Sequence, residues 1–230
     1  MDHIVKHEPS FPLLQVGLAP NEVLVAEAGT MVARSTTVAM EVKLNAGRGA
    51  GAWAKLKAVF IALLRKMVGG ETFFVNHFSS RTGGWVWLAP AMSGAIRHMP
   101  LRQSSIVLSA GAFVACAGEV DLKLRWGGLR ALLAKEGAFF IEASGTGDLW
   151  ITSYGAIDEI EVDGTYVVDS GHLVAFDPTL TFGIRTAGGG VMGFVASGEG
   201  LVCEFHGRGR VLVQSRNPGA LVTWLGRVLP

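Results

Sequence analysis

Apolar and polar residues alternate with period two along most of this chain, and only a few short segments carry the 3.6-residue period of a helix. Three stretches repeat one pattern: "AEAGTMVARSTTVAMEVKL" from Ala26, "LSAGAFVACAGEVDLKLRW" from Leu108 and "VDSGHLVAFDPTLTFGIRT" from Val168. Each reads small residue, Gly, one variable position, apolar residue, Val, Ala, then an alternating run after a short polar break. Their β-branched content predicts strands. Gly29, Gly111 and Gly171 become equivalent, as do Thr30, Ala112 and His172. Because the position after the glycine takes three different residues, the repeat itself does not require histidine there. Gly171, Val174 and Ala175 are the repeated elements of "SGHLVAF".

The segments ahead of these glycines match as well. "SGAIRHMPLRQSSIVL" and "YGAIDEIEVDGTYVV" read as strand, polar turn, strand, and "LLQVGLAPNEVLV" keeps the same order more loosely. A second module follows each first one: "ETFFVNHFSSRTGGWVWLAP" from Glu71, "EGAFFIEASGTGDLWITS" from Glu136 and "EGLVCEFHGRGRVLVQS" from Glu199. Each is predicted to be a hairpin that turns at its glycines, where positive φ is available. Internal repeats are therefore expected at about 11–89, 90–153 and 154–216 of a single domain, 1–230.

Between the modules the chain differs from copy to copy. "GAWAKLKAVFIALLRKMVGG" places Trp53, Leu56, Phe60, Leu63, Leu64 and Met67 at helical spacing and predicts a helix over about 50–68. "GGLRALLAKEG" is a shorter helical segment in the second copy, and the glycine-rich "TAGGGVMGF" stands in its place in the third. After Asn217 and Pro218, a C-terminal helix is expected over about 217–229, with Leu221, Trp224, Leu225 and Val228 on one side. A strand set with one apolar face needs a second sheet to cover it, so the prediction is an all-β, sandwich-like or barrel-like body with helical decorations. One copy alone is too small to bury a core, so the copies should fold together.

Composition narrows the function classes. Half of the 230 residues are hydrophobic and 17% are charged, which describes a packed globular chain. Lys and Arg number 20 against 19 Asp and Glu, a balance that argues against nucleic acid as a partner unless a local patch supplies the field. Cys116 and Cys203 each sit in an apolar strand pattern without the paired spacing of a zinc site or disulfide framework, and read as core residues. The opening "MDHIVKHEPSFPLL" lacks the charged, apolar and small-residue regions of a secretory signal, and no apolar run reaches the roughly 18 residues of a spanning helix. The expected location is the cytoplasm.

Chemistry-bearing residues are scattered. His3 and His7, with Glu8, have a chelating i, i+4 spacing, but Pro9 and Pro12 oppose a stable helix there. His77, His98, His172 and His206 are dispersed singly. The nucleophile signature GxSxG is missing, and both cysteines fall inside predicted strands. The glycines of "SGTGD" and "HGRGR" lead into strands rather than into a helix N-terminus, so a phosphate cradle is not expected. No catalytic, cofactor-binding or metal-binding residue is assigned, and the chain is read as a non-enzyme without a cofactor.

The motifs "GGETFF", "EGAFFIEASGTGDLWI", "VDSGHLVAF" and "SGEGLVCEFHGRGRVLVQSRN" together resemble the family named for altered inheritance of mitochondria, over nearly the whole chain. That resemblance implies a fold like the tryptophan RNA-binding attenuation protein, a short double-stranded β-helix, and assembly as a homotrimer. It supplies no catalytic residues. The expected function is an oligomeric scaffold or binding protein; the alternative is a ring that binds a small ligand or single-stranded RNA, with Arg208 and Arg210 as contacts. Asp148 stands where Arg210 does in the second copy, which weakens a repeated basic band. Lys55, Lys57, Arg65 and Lys66 are the charges of the 50–68 segment, so that helix could rest on an anionic membrane at its inner face or on a protein partner. The same apolar stripe would equally serve to cover the end of the β-body.

Overall fold

The structure, a computed structural model, describes residues 1–44, 74–126, 139–186 and 201–229. The predicted helices at 50–68 and 127–137 and the glycine-rich segment at 186–194 lie outside these residues except for Thr186. The described chain forms strands β1 (His3–Lys6), β2 (Leu13–Leu18), β3 (Val23–Glu27), β4 (Met31–Arg34), β5 (Ala39–Leu44), β6 (Phe74–Ser79) and β7 (Gly84–Leu88). There follow β8 (Ile96–Ser109), β9 (Phe113–Trp126), β10 (Phe139–Thr152), β11 (Ile157–Asp169), β12 (Leu173–Phe176), β13 (Thr181–Thr186), β14 (Leu201–Gln214) and helix α1 (Pro218–Val228). All ladders between strands are antiparallel, and they build an all-β sandwich of open sheets.

Three units use one plan, in which the last strand lies between the first two. In the second unit β10 pairs with β8 on one side and β9 on the other. In the third, β14 lies between β11 and the consecutive β12 and β13. The first unit has the same plan with every strand cut in two: β7 lies between β2 and β4, and β6 between β3 and β5.

The hairpins expected in the second modules do not form. β10 and β14 are single strands of 14 residues, and the halves β6 and β7 belong to different sheets rather than pairing with each other. The turns expected inside "SGAIRHMPLRQSSIVL" and "YGAIDEIEVDGTYVV" are likewise absent, because β8 and β11 run through them. Positive φ is present where the turns were expected, at Gln103, Gly145, Gly164 and Gly207. There it makes a local bend, and the β8/β10 ladder shifts register between Gly145 and Thr146. One residue in the left-handed region kinks and twists a strand without reversing it, as a bulge does.

Units are joined by strand pairing. β3 of the first unit pairs with β9 of the second through Leu24↔Ala117, Val25↔Cys116 and Ala26↔Ala115. β8 of the second pairs with β12 of the third through Leu108↔Ala175 and Val107↔Phe176. The cores cross the same boundaries: Leu24, Ala26, Phe78 and Leu88 pack with Val114, Ala115 and Trp150, and Val107 and Phe140 pack with Phe176, Phe205 and Val211. Apolar burial, at roughly 25 cal/mol per Å², therefore stabilises neighbouring units jointly.

Cys116 and Cys203 are buried in β9 and β14. α1 begins where expected, with the Asn217 side chain accepting from the Ala220 backbone N–H at 3.2 Å. Its predicted apolar side is only half seated: Leu221 and Leu225 are partly buried, whereas Trp224 and Val228 are exposed.

Candidate functional site

His98 is the histidine with the most developed surroundings. It stands on β8 in register with Trp150 on β10, and the two rings stack with centroids 5.3 Å apart. His98 Nε2 lies 2.7 Å from Asp148 Oδ1, and the amino group of Met1 donates to Asp148 Oδ2 at 2.8 Å. His3, brought in by β1, places its ring 4.3 Å from His98 and edge-on to Trp150. Burial alone would raise the Asp148 carboxyl, but hydrogen bonds from the Met1 amine and His98 outweigh it and hold the group below the usual carboxylate range. The Trp150 indole N–H is buried and has no hydrogen-bond partner among the described residues. Chemically, this constellation holds β1 against the second unit: its acceptor is shared by two cationic or donating groups, one of them at the chain start.

The structure separates His3 from His7. His7 is exposed at the end of β1, with φ of +63°. Among the described residues, no group of three His, Cys, Asp or Glu side chains is arranged to hold a metal. Burial pushes the Cys116 thiol up to about 12, which disfavours the thiolate form. His77, on β6, is lowered by burial and then by Lys43.

Arg208 and Arg210, considered above as nucleic-acid contacts, are both paired within the chain. Arg208 Nε donates to Asp163 Oδ1 at 2.8 Å on the surface. Arg210 forms a two-pronged bond to Asp177, with Nε at 3.0 Å and Nη2 at 3.2 Å, and its backbone N–H donates to the same carboxylate. Arg210 also meets Glu159, which in turn meets Arg97 of the second unit at 3.2 Å. The hydrogen bond to Asp177 raises the Arg210 guanidinium above its ordinary value. These cations fasten neighbouring strands of the ten-stranded sheet to one another.

His172 belongs to another fastening. It sits in a short 3-10 turn between β11 and β12, and its Nδ1 is 2.7 Å from the Gln214 backbone oxygen. The Gln214 side chain donates to Gly171 O at 2.9 Å and accepts from Tyr154 N at 2.8 Å. Asp169 accepts from Gly171 N at 2.8 Å and from Asn217 Nδ2 at 3.4 Å. The corner thus ties the end of β14 and the start of α1 to the turn between β11 and β12. A Cβ at Gly171 would stand 2.3 Å from Asn217 Nδ2, so the glycine is needed there for close approach. Gly29 needs its φ of +92°, and nothing around Gly111 demands glycine.

Gly171→Val is therefore expected to destabilise by about 2 kcal/mol through loss of the Asn217 cap and local strain. His172→Ala should cost about 1 kcal/mol, the value of one hydrogen bond. Thermal melts of both variants check the order; a larger loss for His172→Ala would give the imidazole a role beyond this tie.

The outer edges of the three-unit array show a different chemistry. Val114 and Val174, equivalent in the repeat, are 0% and 1% exposed, whereas their counterpart Val32 on β4 is 54% exposed and Met31 beside it 38%. At the other end, Leu24 and Ile106 are 0% and 2% exposed, whereas their counterpart Tyr166 on β11 is 43% exposed and Val167 beside it 45%. β4 pairs with β7 on one side and β11 with β14 on one side; among the described residues no strand covers the other flank of either. The sequence signal for these edges was present in the repeat comparison, but only exposure distinguishes them from their buried counterparts.

Comparison with known proteins places this arrangement. An uncharacterized protein of Streptococcus pyogenes serotype M6 is 31% identical over 233 residues, spanning 100% of this chain and 92% of that protein. The X-ray crystal structure of a Streptococcus pyogenes protein, from a structural genomics consortium, superposes with a TM-score of 0.81 at 30% identity, covering 99% of each chain. The family model described as mitochondrial biogenesis AIM24 matches residues 4–216, from within β1 to the residue before the Asn217 cap. The chain belongs to the mitochondrial biogenesis AIM24 family.

Proposed function

We propose that this protein is a non-enzymatic oligomeric scaffold, a binding protein that works through assembled β-surfaces rather than through a reactive group. The carrying observation is the pair of outer edges on β4 and β11, where apolar side chains buried in the other copies face solvent. Exposed apolar strand edges invite further strands, and proteins that keep them ordinarily cover them. The polar clusters support the same reading: Asp148, Arg210 and Asp169 each serve contacts that hold strands or a helix cap in place.

Light scattering coupled to size-exclusion chromatography, run at micromolar concentration on the full chain, tests the proposal. A particle of three times the 24.3 kDa chain mass is expected, in line with the trimer that the family resemblance implies. A single-chain mass at all concentrations up to about 100 μM, weaker than ordinary specific association, sinks the reading.

A further inference from the structure

We infer that the C-terminal helix α1 is an interaction surface of its own, one that lies flat on a bilayer carrying anionic lipid. The inference does not rest on the assembly proposed above. It concerns residues 217–229, whereas the family model ends at residue 216 and the scaffold reading uses β4 and β11.

The helix is fastened at its base and bare along its length. Asn217 caps it by accepting from the Ala220 N–H at 3.2 Å and donates to Asp169 at 3.4 Å, and the preceding Arg216 N–H donates to Tyr154 O at 3.2 Å. Beyond that corner the body covers little of it, and none of its eleven residues is buried. Leu221, Val222, Trp224, Leu225 and Val228 share one side of the helix, and Gly219, Thr223, Gly226 and Arg227 the other. On the apolar side only Leu221 and Leu225 are partly covered; Val222, Trp224, Val228 and the capping Leu229 are each more than half exposed. An amphipathic helix ordinarily seats that side on the core of its own domain. The Asn217 corner holds α1 where it does not.

Charge selects the occupant. Residues 205–230 contain four Arg and neither Asp nor Glu. Arg208 and Arg210 are paired with Asp163 and Asp177, but Arg216 and Arg227 meet no carboxylate among the described residues. Arg216 stands before the cap and Arg227 in the last turn, so one guanidinium lies at each end of the exposed apolar side chains. That arrangement suits a headgroup layer: aliphatic side chains reach the acyl boundary, tryptophan sits at the border, and guanidinium groups meet phosphates. A protein partner would give the helix the same apolar cover, but a segment with cations at both ends and no acid matches a surface that is negative throughout. The eleven residues span about 16 Å, roughly half the thickness of a hydrocarbon core, so the helix lies along the surface and does not cross.

Vesicle co-sedimentation of the full chain tests the surface. Vesicles of phosphatidylglycerol and phosphatidylcholine in equal amounts should carry down about tenfold more protein than phosphatidylcholine alone, and added salt should weaken the binding. Trp224→Gln with Val228→Gln, both at exposed positions, should lower binding to the mixed vesicles about tenfold while the melting temperature stays that of the unmodified protein. Arg216→Gln with Arg227→Gln should lower it about fivefold and remove most of the salt dependence. Val42→Gln, which removes an exposed valine from β5 instead, should bind as the unmodified protein does. Lipid brominated in its acyl chains should quench the tryptophan emission of the bound chain, and less so in Trp224→Phe, which removes one of the six tryptophans.

No sedimentation with the mixed vesicles overturns the inference and leaves the scaffold reading standing. Undiminished sedimentation of the Trp224→Gln, Val228→Gln variant overturns it as well, since another surface then makes the contact. A change in particle mass for that variant in the absence of vesicles would mean that protein, not lipid, covers the helix, and the inference fails.

Discussion

Val114→Lys is expected to leave no folded protein, whereas Val32→Lys, at the same position of the repeat, yields a folded chain of single-copy mass. Val114 is wholly enclosed, packed with the cluster that includes Leu24, Ala26, Phe78 and Trp150 at the junction of the first two units. An ammonium placed there loses its hydration without a partner, at a cost of several kcal/mol, on top of the packing that the change destroys. Domains of this kind hold roughly 5–15 kcal/mol in total, so that loss removes most of the margin. Val32 is surrounded by the same kind of strand but, among the described residues, has no neighbour unit on its flank, and its side chain is more than half exposed. Lysine at position 32 meets water in the single copy and, on the proposed scaffold reading, would be buried only where another copy covers β4. Circular dichroism and thermal melting should report native β-structure for Val32→Lys and none for Val114→Lys. Light scattering should report a mass near 24.3 kDa for Val32→Lys. An unfolded Val32→Lys, or one whose mass equals that of the unmodified protein, would show that β4 is not the surface that meets a neighbour.

The contrast between those two valines also marks what could be read from the sequence. The period-two alternation identified the strands, and the shared Gly-x-apolar-Val-Ala pattern identified three copies, because both are local consequences of which side chains must face a core. Whether glycines such as Gly145 and Gly207 end a strand or bend one was not legible, since the same positive φ serves a turn and a bulge. The hairpin reading failed on that ambiguity. The junctions between units were hidden for another reason: Val25, Val107 and Val167 look alike as sequence, and pairing with Cys116 and Phe176 is a tertiary fact. The clamp of His3, His98 and Asp148 was also missed, because it joins β1 to strands about a hundred residues away and no spacing rule connects them. The one available signal was Asp148 itself, an acid where the third copy has Arg210; each residue proved to be the anchor of its own unit's contacts.

Gly145→Ala should cost about 3–5 kcal/mol, among the largest effects of any single-methyl addition in this chain, while Gly164→Ala should cost only about 1 kcal/mol. Both residues hold positive φ at strand bends, +128° at Gly145 and +104° at Gly164, so an L side chain is strained at each. They differ in what lies beyond the missing Cβ. At Gly164 nothing stands within 4 Å of the position that a methyl would take, and the penalty is conformational alone. At Gly145 that position is 2.0 Å from the backbone oxygen of Glu119, on the neighbouring strand β9. A carbonyl in a ladder cannot rotate away as a side-chain tip can, so β9 and β10 must separate or β10 must straighten. Either movement disturbs the register shift between Gly145 and Thr146 that fits β10 to β8. The second unit sits between the other two, and its loosening exposes both junctions, so the melt of Gly145→Ala should lose cooperativity as well as temperature. Equal melting temperatures for the two variants would mean that φ alone, and not the approach of β9, fixes glycine at the bend.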